Sequence, residues 1–300
     1  MKRIFLLFIF LQYCSFGFSQ TKVVLLGTGT PNPDPEHSGG SVAIIIGTTS
    51  YIVDFGPGLV RQAAKMSPRY GGEFEALLMK NLKIGFLTHL HSDHTVGFPD
   101  FLLTPWVEGR NEPLKIFGPV GTKNLTDNIL EAYNADIDYR LNGLEPANDK
   151  GWRVRTKEFT NDGVIYKDSL VKVEAFKVEH GSWTNAFGFR FTTFDKTIVI
   201  SGDTKPCENI LKYSKGADIL IHEVYSYSGW LKRNEFWQKY HRANHTSTYE
   251  LGELASNAKP GKVVLNHMLF WGASEKELLK EISEKYEGQV ICGRDLMVVE

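Results

Sequence analysis

The chain reads as an α/β fold with mixed sheets, and three observations carry that expectation. Short β-branched runs alternate with helical patterns through most of the chain. The early runs follow one another as hairpins, whereas the later ones are separated by helices. No linker, charge block or internal repeat divides the sequence. Segments 22–27 (KVVLLG), 41–46 (SVAIII) and 51–55 (YIVDF) are strands bounded by Gly/Pro-rich turns. Further strands are expected at 83–88 (KIGFLT), 114–117, 153–159, 169–179, 186–193, 197–201, 219–223, 262–266 and 289–299. Helical patterns are clearest at 122–133, 246–257 and 274–286, the last opening with Ser274 and Glu277 as a capping box. Turn residues dominate 105–152, where no boundaries are drawn.

Three hundred residues can form one domain and bury a core without a staple. A composition 42% hydrophobic and 23% charged excludes disorder, collagen and coiled coil. Lys+Arg 34 against Asp+Glu 35 leaves −1, which argues against a general nucleic-acid-binding surface while leaving room for a local basic patch within that sum. Three cysteines exclude a disulfide framework and a four-cysteine zinc site, so metal ligands must be histidines and carboxylates.

Residues 1–19 differ in kind from the rest. Lys2 and Arg3 precede an apolar run at 4–11, and Gly17 and Ser19 put small residues at −3 and −1 of a cleavage point. These are the parts of a secretory signal peptide, and the apolar run is too short to span a membrane. The expectation is a single domain over 20–300, periplasmic or secreted and without a membrane segment after cleavage; a retained anchor is the alternative. Cleavage removes Lys2 and Arg3 and takes the net charge from −1 to −3. Cys207 and Cys292 are then the remaining thiols, either a pair or two small buried hydrophobes.

Two common motifs are absent. Gly27-Thr28-Gly29-Thr30 follows a strand, but Pro31, Pro33 and Pro35 forbid the helix a nucleotide loop needs. No Gly-x-Ser-x-Gly elbow marks a serine hydrolase.

The chemistry lies in Thr88-His89-Leu90-His91-Ser92-Asp93-His94. His89 and His91 sit two apart beyond an apolar strand, so an extended chain puts both imidazoles on one side. Asp93 and His94 follow where the chain turns towards a helix. Elsewhere His180 ends a strand, Asp203 closes 197–201 in Ser-Gly-Asp-Thr, and His267 ends 262–266. His222 lies inside an apolar run and His245 precedes a helical pattern. Ends of separate strands are where α/β folds assemble sites. Imidazole nitrogen with carboxylate oxygen suits Zn²⁺, with Fe or Mn as alternatives. His37 and His241 read as solvated loop residues.

Segment 88–97 (THLHSDHTVG), with His180, Ser201–Thr204 (SGDT) and His267, resembles the metallo-β-lactamase superfamily over essentially the whole mature chain. The resemblance implies a four-layer αββα sandwich of two mixed sheets and two metals at one edge. His89, His91 and His180 would hold the first Zn²⁺, Asp93, His94 and His267 the second, and Asp203 would bridge them. Asp54 resembles an acid that supports the ligand loop; a turn-forming aspartate is the other reading. The activity implied is hydrolysis of ester bonds by a metal-bridged hydroxide.

Asp203 separates the chain from β-lactamases of the superfamily, which lack the bridging acid. Ile221-His222-Glu223-Val224 and Asn244-His245-Thr246-Ser247 resemble the tRNase Z and arylsulfatase-like branch. There His245 would be a general acid oriented by Glu223, these two joining Asp93 as catalytic residues; otherwise His245 is a helix-start residue. His222 reads as a core histidine or a support behind the site. Common short tRNase Z enzymes carry a long tRNA-gripping arm between the positions of His180 and Asp203, where this chain has twenty-two residues. The short connection, the export signal and the net charge together favour an arylsulfatase-like hydrolase of sulfate or phosphate esters. Its partner would be a small-molecule ester, with nucleic acid not expected and assembly as a homodimer left open. A tRNase Z-like ribonuclease and a β-lactamase or lactonase are the alternatives. Trp183 and Trp271 are expected near the cleft, and Trp230 and Trp237, within 226–240, as part of a loop over its mouth.

Expression in a secreting host should yield a mature chain beginning at or near Gln20, read by mass spectrometry of the exported fraction. Full-length protein confined to the cytoplasm would contradict the signal-peptide reading.

Overall fold

Because successive strand residues point to opposite faces, an unbroken apolar strand needs a hydrophobic layer on each side. In β1 (Lys22–Gly27), Val23 and Leu25 enter one apolar layer while Val24 and Leu26 enter another. The computed structural model describes residues 20–145 and 147–300, so the expected signal segment 1–19 lies outside the described residues.

After β1 come β2 (Ser41–Ile46), β3 (Thr49–Val53), α1 (Leu59–Met66), β4 (Ile84–Phe86), α2 (Ser92–Thr95), α3 (Phe98–Val107), β5 (Leu114–Pro119), α4 (Thr122–Ala132), α5 (Asn134–Asn142) and β6 (Val154–Phe159). The second half runs β7 (Gly163–Lys167), β8 (Lys172–Lys177), β9 (Phe187–Thr192), β10 (Thr197–Ile200), α6 (Glu208–Ser214), β11 (Ile219–Tyr225), α7 (Tyr227–Leu231), α8 (Glu235–Asn244) and α9 (Thr248–Ala258). It closes with β12 (Lys262–Leu269), α10 (Glu275–Ser283), β13 (Val290–Cys292) and β14 (Val298–Val299). One seven-stranded sheet has the order β14-β1-β2-β3-β4-β5-β6, the other β13-β12-β11-β10-β9-β8-β7. Both are mixed: β1–β3 and β7–β10 pair antiparallel, β3–β6 and β10–β13 parallel.

Three apolar layers separate four structural ones, which makes the fold an αββα sandwich. Leu25, Ile44 and Phe86 of the first sheet meet Val173, Phe189 and Phe191 of the second in the middle. There Phe86 stacks on Phe117 at 5.2 Å and meets Phe191 edge-on at 5.5 Å between ring centroids. Val24, Ile45 and Ile52 pack outward beneath Leu59 and Phe101 of α1 and α3. Val199, Leu220 and Val263 pack beneath Ile210, Leu254 and Leu278 of α6, α9 and α10.

The structure departs from the sequence reading at several places. The turn-rich region 105–152 holds the end of α3 and all of α4 and α5. Pro105 sits inside α3, where the buried side chains Phe98, Phe101, Leu102 and Trp106 outweigh its breaking tendency. Segment 226–240 is not a loop; α7 and most of α8 occupy it, each started by a side-chain cap, Ser226 on Gly229 N and Asn234 on Trp237 N. The expected strand 289–299 is two short strands in different sheets, β13 beside β12 and β14 beside β1. Cys207 and Cys292 are both free, Cys292 buried as the small-hydrophobe reading requires.

Arg110 is fully buried, and its guanidinium donates to the carbonyls of Gly151, Leu82, Phe101 and Leu102. It thereby ties the end of α3 to the loop before β6, and burial pushes its pKa down to about 9. Arg110→Ala would strand those carbonyls in an apolar setting at about 3 kcal/mol or more. Thermal unfolding should show a melting point lower by roughly 5–10 °C.

Candidate metal centre

The ligand candidates converge because the strands that carry them end at one edge of the sandwich. His91 takes the N-cap place of α2, which sets Asp93 and His94 in its first turn. Asp203 follows β10 through Gly202, whose φ is +61° and whose added Cβ would come within 2.8 Å of the Phe187 carbonyl oxygen. His267 lies at a bulge in β12: Glu223 faces Asn266 and Val224 faces Met268, leaving His267 out of register at φ +46°. A bulge re-aims a side chain, here the His267 ring towards the cleft. Asp54, just beyond β3, is another non-glycine residue at positive φ, +59°.

Among the described residues three groups result, His89–His91–His180–Asp203, Asp93–His94–His267 and Asp203–His245–His267, with ligand atoms of each within 4.8 Å of one another. His89 Nε2 and His180 Nε2 lie 3.0 and 3.2 Å from His91 Nδ1. Asp93 Oδ2 is 3.2 Å from His267 Nε2 and 3.4 Å from His94 Nε2. Asp203 stands between the groups: its Oδ1 is 3.6 Å from His94 Nε2, and its Oδ2 is 4.0 Å from His89 and His180 and 3.7 Å from His267. Ligand atoms around a tetrahedral zinc with bonds of about 2.0–2.1 Å sit about 3.3 Å apart.

Hydrogen bonding behind the rings decides which nitrogens are free. His180 Nδ1 donates to the Asn244 carbonyl at 2.8 Å, and His94 Nδ1 donates to Asp54 Oδ2 at 2.9 Å. The single hydroxyl proton of Thr88 goes to Asp54, so Thr88 Oγ1 accepts from His89 Nδ1 at 3.0 Å. With Nδ1 so engaged, each of the three rings directs Nε2 to the cluster and in its neutral form presents a lone pair there, as metal-ligating histidines do. His94 Nε2 is buried beside two carboxylates without a hydrogen-bond partner. Burial pulls the His94 pKa down, but Asp203, Asp54 and Asp93 hold it well above the ordinary value. His267 follows the same balance and rises to about 9, whereas burial and neighbouring rings drive His89 well down. Asp203, buried among these rings, is held well below the usual carboxylate range despite its desolvation. The donor set fits divalent cations.

His245 closes the cleft between α8 and α9. Its Nδ1 lies 3.2 Å from Glu223 Oε1, which also accepts from Thr204 N and Thr246 N. Burial pushes His245 down to about 4, and burial with the charge of Asp203 pushes Glu223 up. His222, fully buried, donates Nδ1 to its neighbour's carbonyl, Glu223 O, at 2.6 Å and stands behind the centre. It faces a chamber of about 30 Å³ with Ser41, Glu223 and Asn266, the size and lining of a buried water site.

The cleft itself, about 340 Å³, is walled by Arg233, Trp237, Tyr240, His241 and Trp271. Trp183 packs 4.3 Å from the His91 ring. Trp230 turns inward instead, donating to the Gln238 carbonyl. His241 is a buried helix residue 4.3 Å from Trp271, not a solvated one. Arg233 lies over both Trp237 and Trp271; it went unnoticed in the sequence because only the α7–α8 turn brings it to the cleft.

A family profile described as "Beta-lactamase superfamily domain" matches residues 49–268. A protein named Ribonuclease Z from Mycobacterium bovis (strain BCG / Pasteur 1173P2) is 30% identical over 284 residues, spanning 93% of this chain and 98% of its own. The crystal structure of the metallo-beta-lactamase fold protein YhfI from Bacillus subtilis superposes with a TM-score of 0.72 at 19% identity, over 94% of this chain and 100% of that one. Human tRNase Z, short form, gives 0.66 at 22% identity, over 93% and 98%.

These relatives overturn the expectation of an arylsulfatase-like hydrolase of small sulfate or phosphate esters, and with it the expectation that nucleic acid is no partner. Both inferences leaned on absences. The Mycobacterium relative is matched over 98% of its length by a chain with only twenty-two residues between His180 and Asp203. A net charge of −1 averages over the surface, whereas residues 232–242 hold Lys232, Arg233, Lys239 and Arg242 against Glu235 alone.

Asp54→Asn keeps a residue that tolerates positive φ but removes the charge behind His94 and Thr88. Loss of such support should weaken metal affinity about 10–100-fold, measured by chelator competition.

Proposed function

We propose that this chain, which belongs to the beta-lactamase superfamily and is a metal-dependent hydrolase acting on ester bonds, cleaves phosphodiester linkages in RNA, as the name of its ribonuclease Z relatives describes. The observation that carries the reading is the 30% identity to Ribonuclease Z over 93% of the chain, joined to an intact set of seven ligand candidates. His89, His91 and His180 would hold one Zn²⁺, Asp93, His94 and His267 a second, and Asp203 would reach both. Bound there, such a pair supplies activation of water at neutral pH and Lewis-acid stabilisation of charge on the phosphoryl oxygens.

The chain's own groups do the rest. Arg233, stacked on Trp237 and Trp271, places a cation in the cleft where a phosphate arrives. Glu223 holds His245 through Nδ1, which turns the remaining ring nitrogen to the cleft. His245 and Glu223 together deliver a proton to the departing ribose oxygen, a poor leaving group that needs one. The aromatic walls limit water around the reacting phosphate.

Metal-loaded protein should carry about two equivalents of transition metal and cleave RNA transcripts, a tRNA transcript among them; Asp203→Ala should abolish cleavage. His245→Ala should slow RNA cleavage by about 10²–10⁴-fold while scarcely affecting bis(p-nitrophenyl) phosphate, whose leaving group needs no proton. Turnover of the small diester without any RNA cleavage would defeat the proposal.

A further inference from the structure

Helix α8 exposes three aromatic side chains on one short element: Phe236 at 71%, Trp237 at 39% and Tyr240 at 39%. Soluble proteins rarely leave such a cluster in water without a use. Spacing sorts the side chains onto two faces. Trp237 and His241 stack and turn towards the metal cleft. Phe236 and Lys239 face the other way, into a groove of about 650 Å³ whose opposite wall is His180, Ser182, Trp183 and Lys205. His180 and Tyr240 line both spaces, so the groove opens directly from the centre.

The charge in and around the groove favours an anion. Lys205 is paired with Glu179 at 2.8 Å, while Lys239 and, just beyond, Arg242 make no ion pair among the described residues. Glu235 is the other carboxylate beside this face. Aromatic faces alternating with free cations are how proteins hold unpaired bases and their phosphates; a duplex hides its bases from such contacts.

We propose that this groove binds the single-stranded RNA running away from the scissile phosphate, its bases stacked on Phe236 and Trp183 and a backbone phosphate on Lys239. The inference rests on the RNA-cleaving reading of the centre and adds where the strand lies and what grips it.

The test is fluorescence anisotropy of the whole protein with a labelled single-stranded oligouridylate, over a range of salt. Phe236→Ala should weaken binding by about tenfold or more, as loss of one stacked base does. Lys239→Ala should lower the slope of log affinity against log salt by about 0.7. Both side chains are exposed, and bis(p-nitrophenyl) phosphate turnover, measured on the same preparations, reports whether the centre is assembled. Affinity and salt slope equal to wild type in both variants, or no binding by the wild-type protein, would overturn the groove. Wild-type protein that binds the strand through these residues yet cuts no RNA would uphold it and remove the cleavage reading instead.

Discussion

Everything near the centre depends on one electrostatic constraint. Buried ring nitrogens of His89, His94 and His180 converge with the carboxylates of Asp93 and Asp203, and the close pairs among them still leave His94 Nε2 without a hydrogen-bond partner. Groups of this kind leave water only at a cost, unless a cation joins them and a rigid frame prevents their separation. The frame is the dry layer between the sheets, where Phe86, Phe189 and Phe191 lock the strands together. Local departures from regular geometry, at Asp54, Gly202 and His267, then point side chains into a space that straight strands would not reach.

The ligand candidates were legible because their chemistry is dense and follows apolar strand sequences. Thr88 to His94 ends an apolar strand with three histidines and an aspartate in six residues, and Asp203 and His267 follow other apolar runs. The capping box at Ser274 and Glu277 could likewise be read directly and is present. Less visible was whatever depends on long-range geometry. The bulge at His267 leaves no mark on the alternation of its neighbours, and Arg233 becomes a cleft residue only through the turn between α7 and α8. Helix α3 was obscured by Pro105, whose local preference yields to the burial of Trp106 and Phe101.

The substrate was misread for a different physical reason. Net charge is a sum, and a polyanion meets only the patch it touches. The four cations around α8 are offset by carboxylates elsewhere, so the total says nothing about that face. Chain length between two ligands is an equally poor guide, since a surface for a strand of nucleic acid can be built from one helix whose aromatics need no inserted arm.

The ends of the two sheets have a consequence for how copies of the chain meet. A pair of open sheets has four edges, each able to template another strand. Here β14 and β13 offer only two and three residues, and β6 carries Arg155, Lys157 and Glu158 along its length. The last edge, β7, ends in Lys167 and is offset against β8 by an irregularity near Val164. None is a long, flat, apolar ribbon, so self-association by strand addition is disfavoured at every edge. Among the described residues, helices and loops are then the more favourable surfaces for contact between two molecules, where recognition is by side-chain shape and charge instead of backbone pairing.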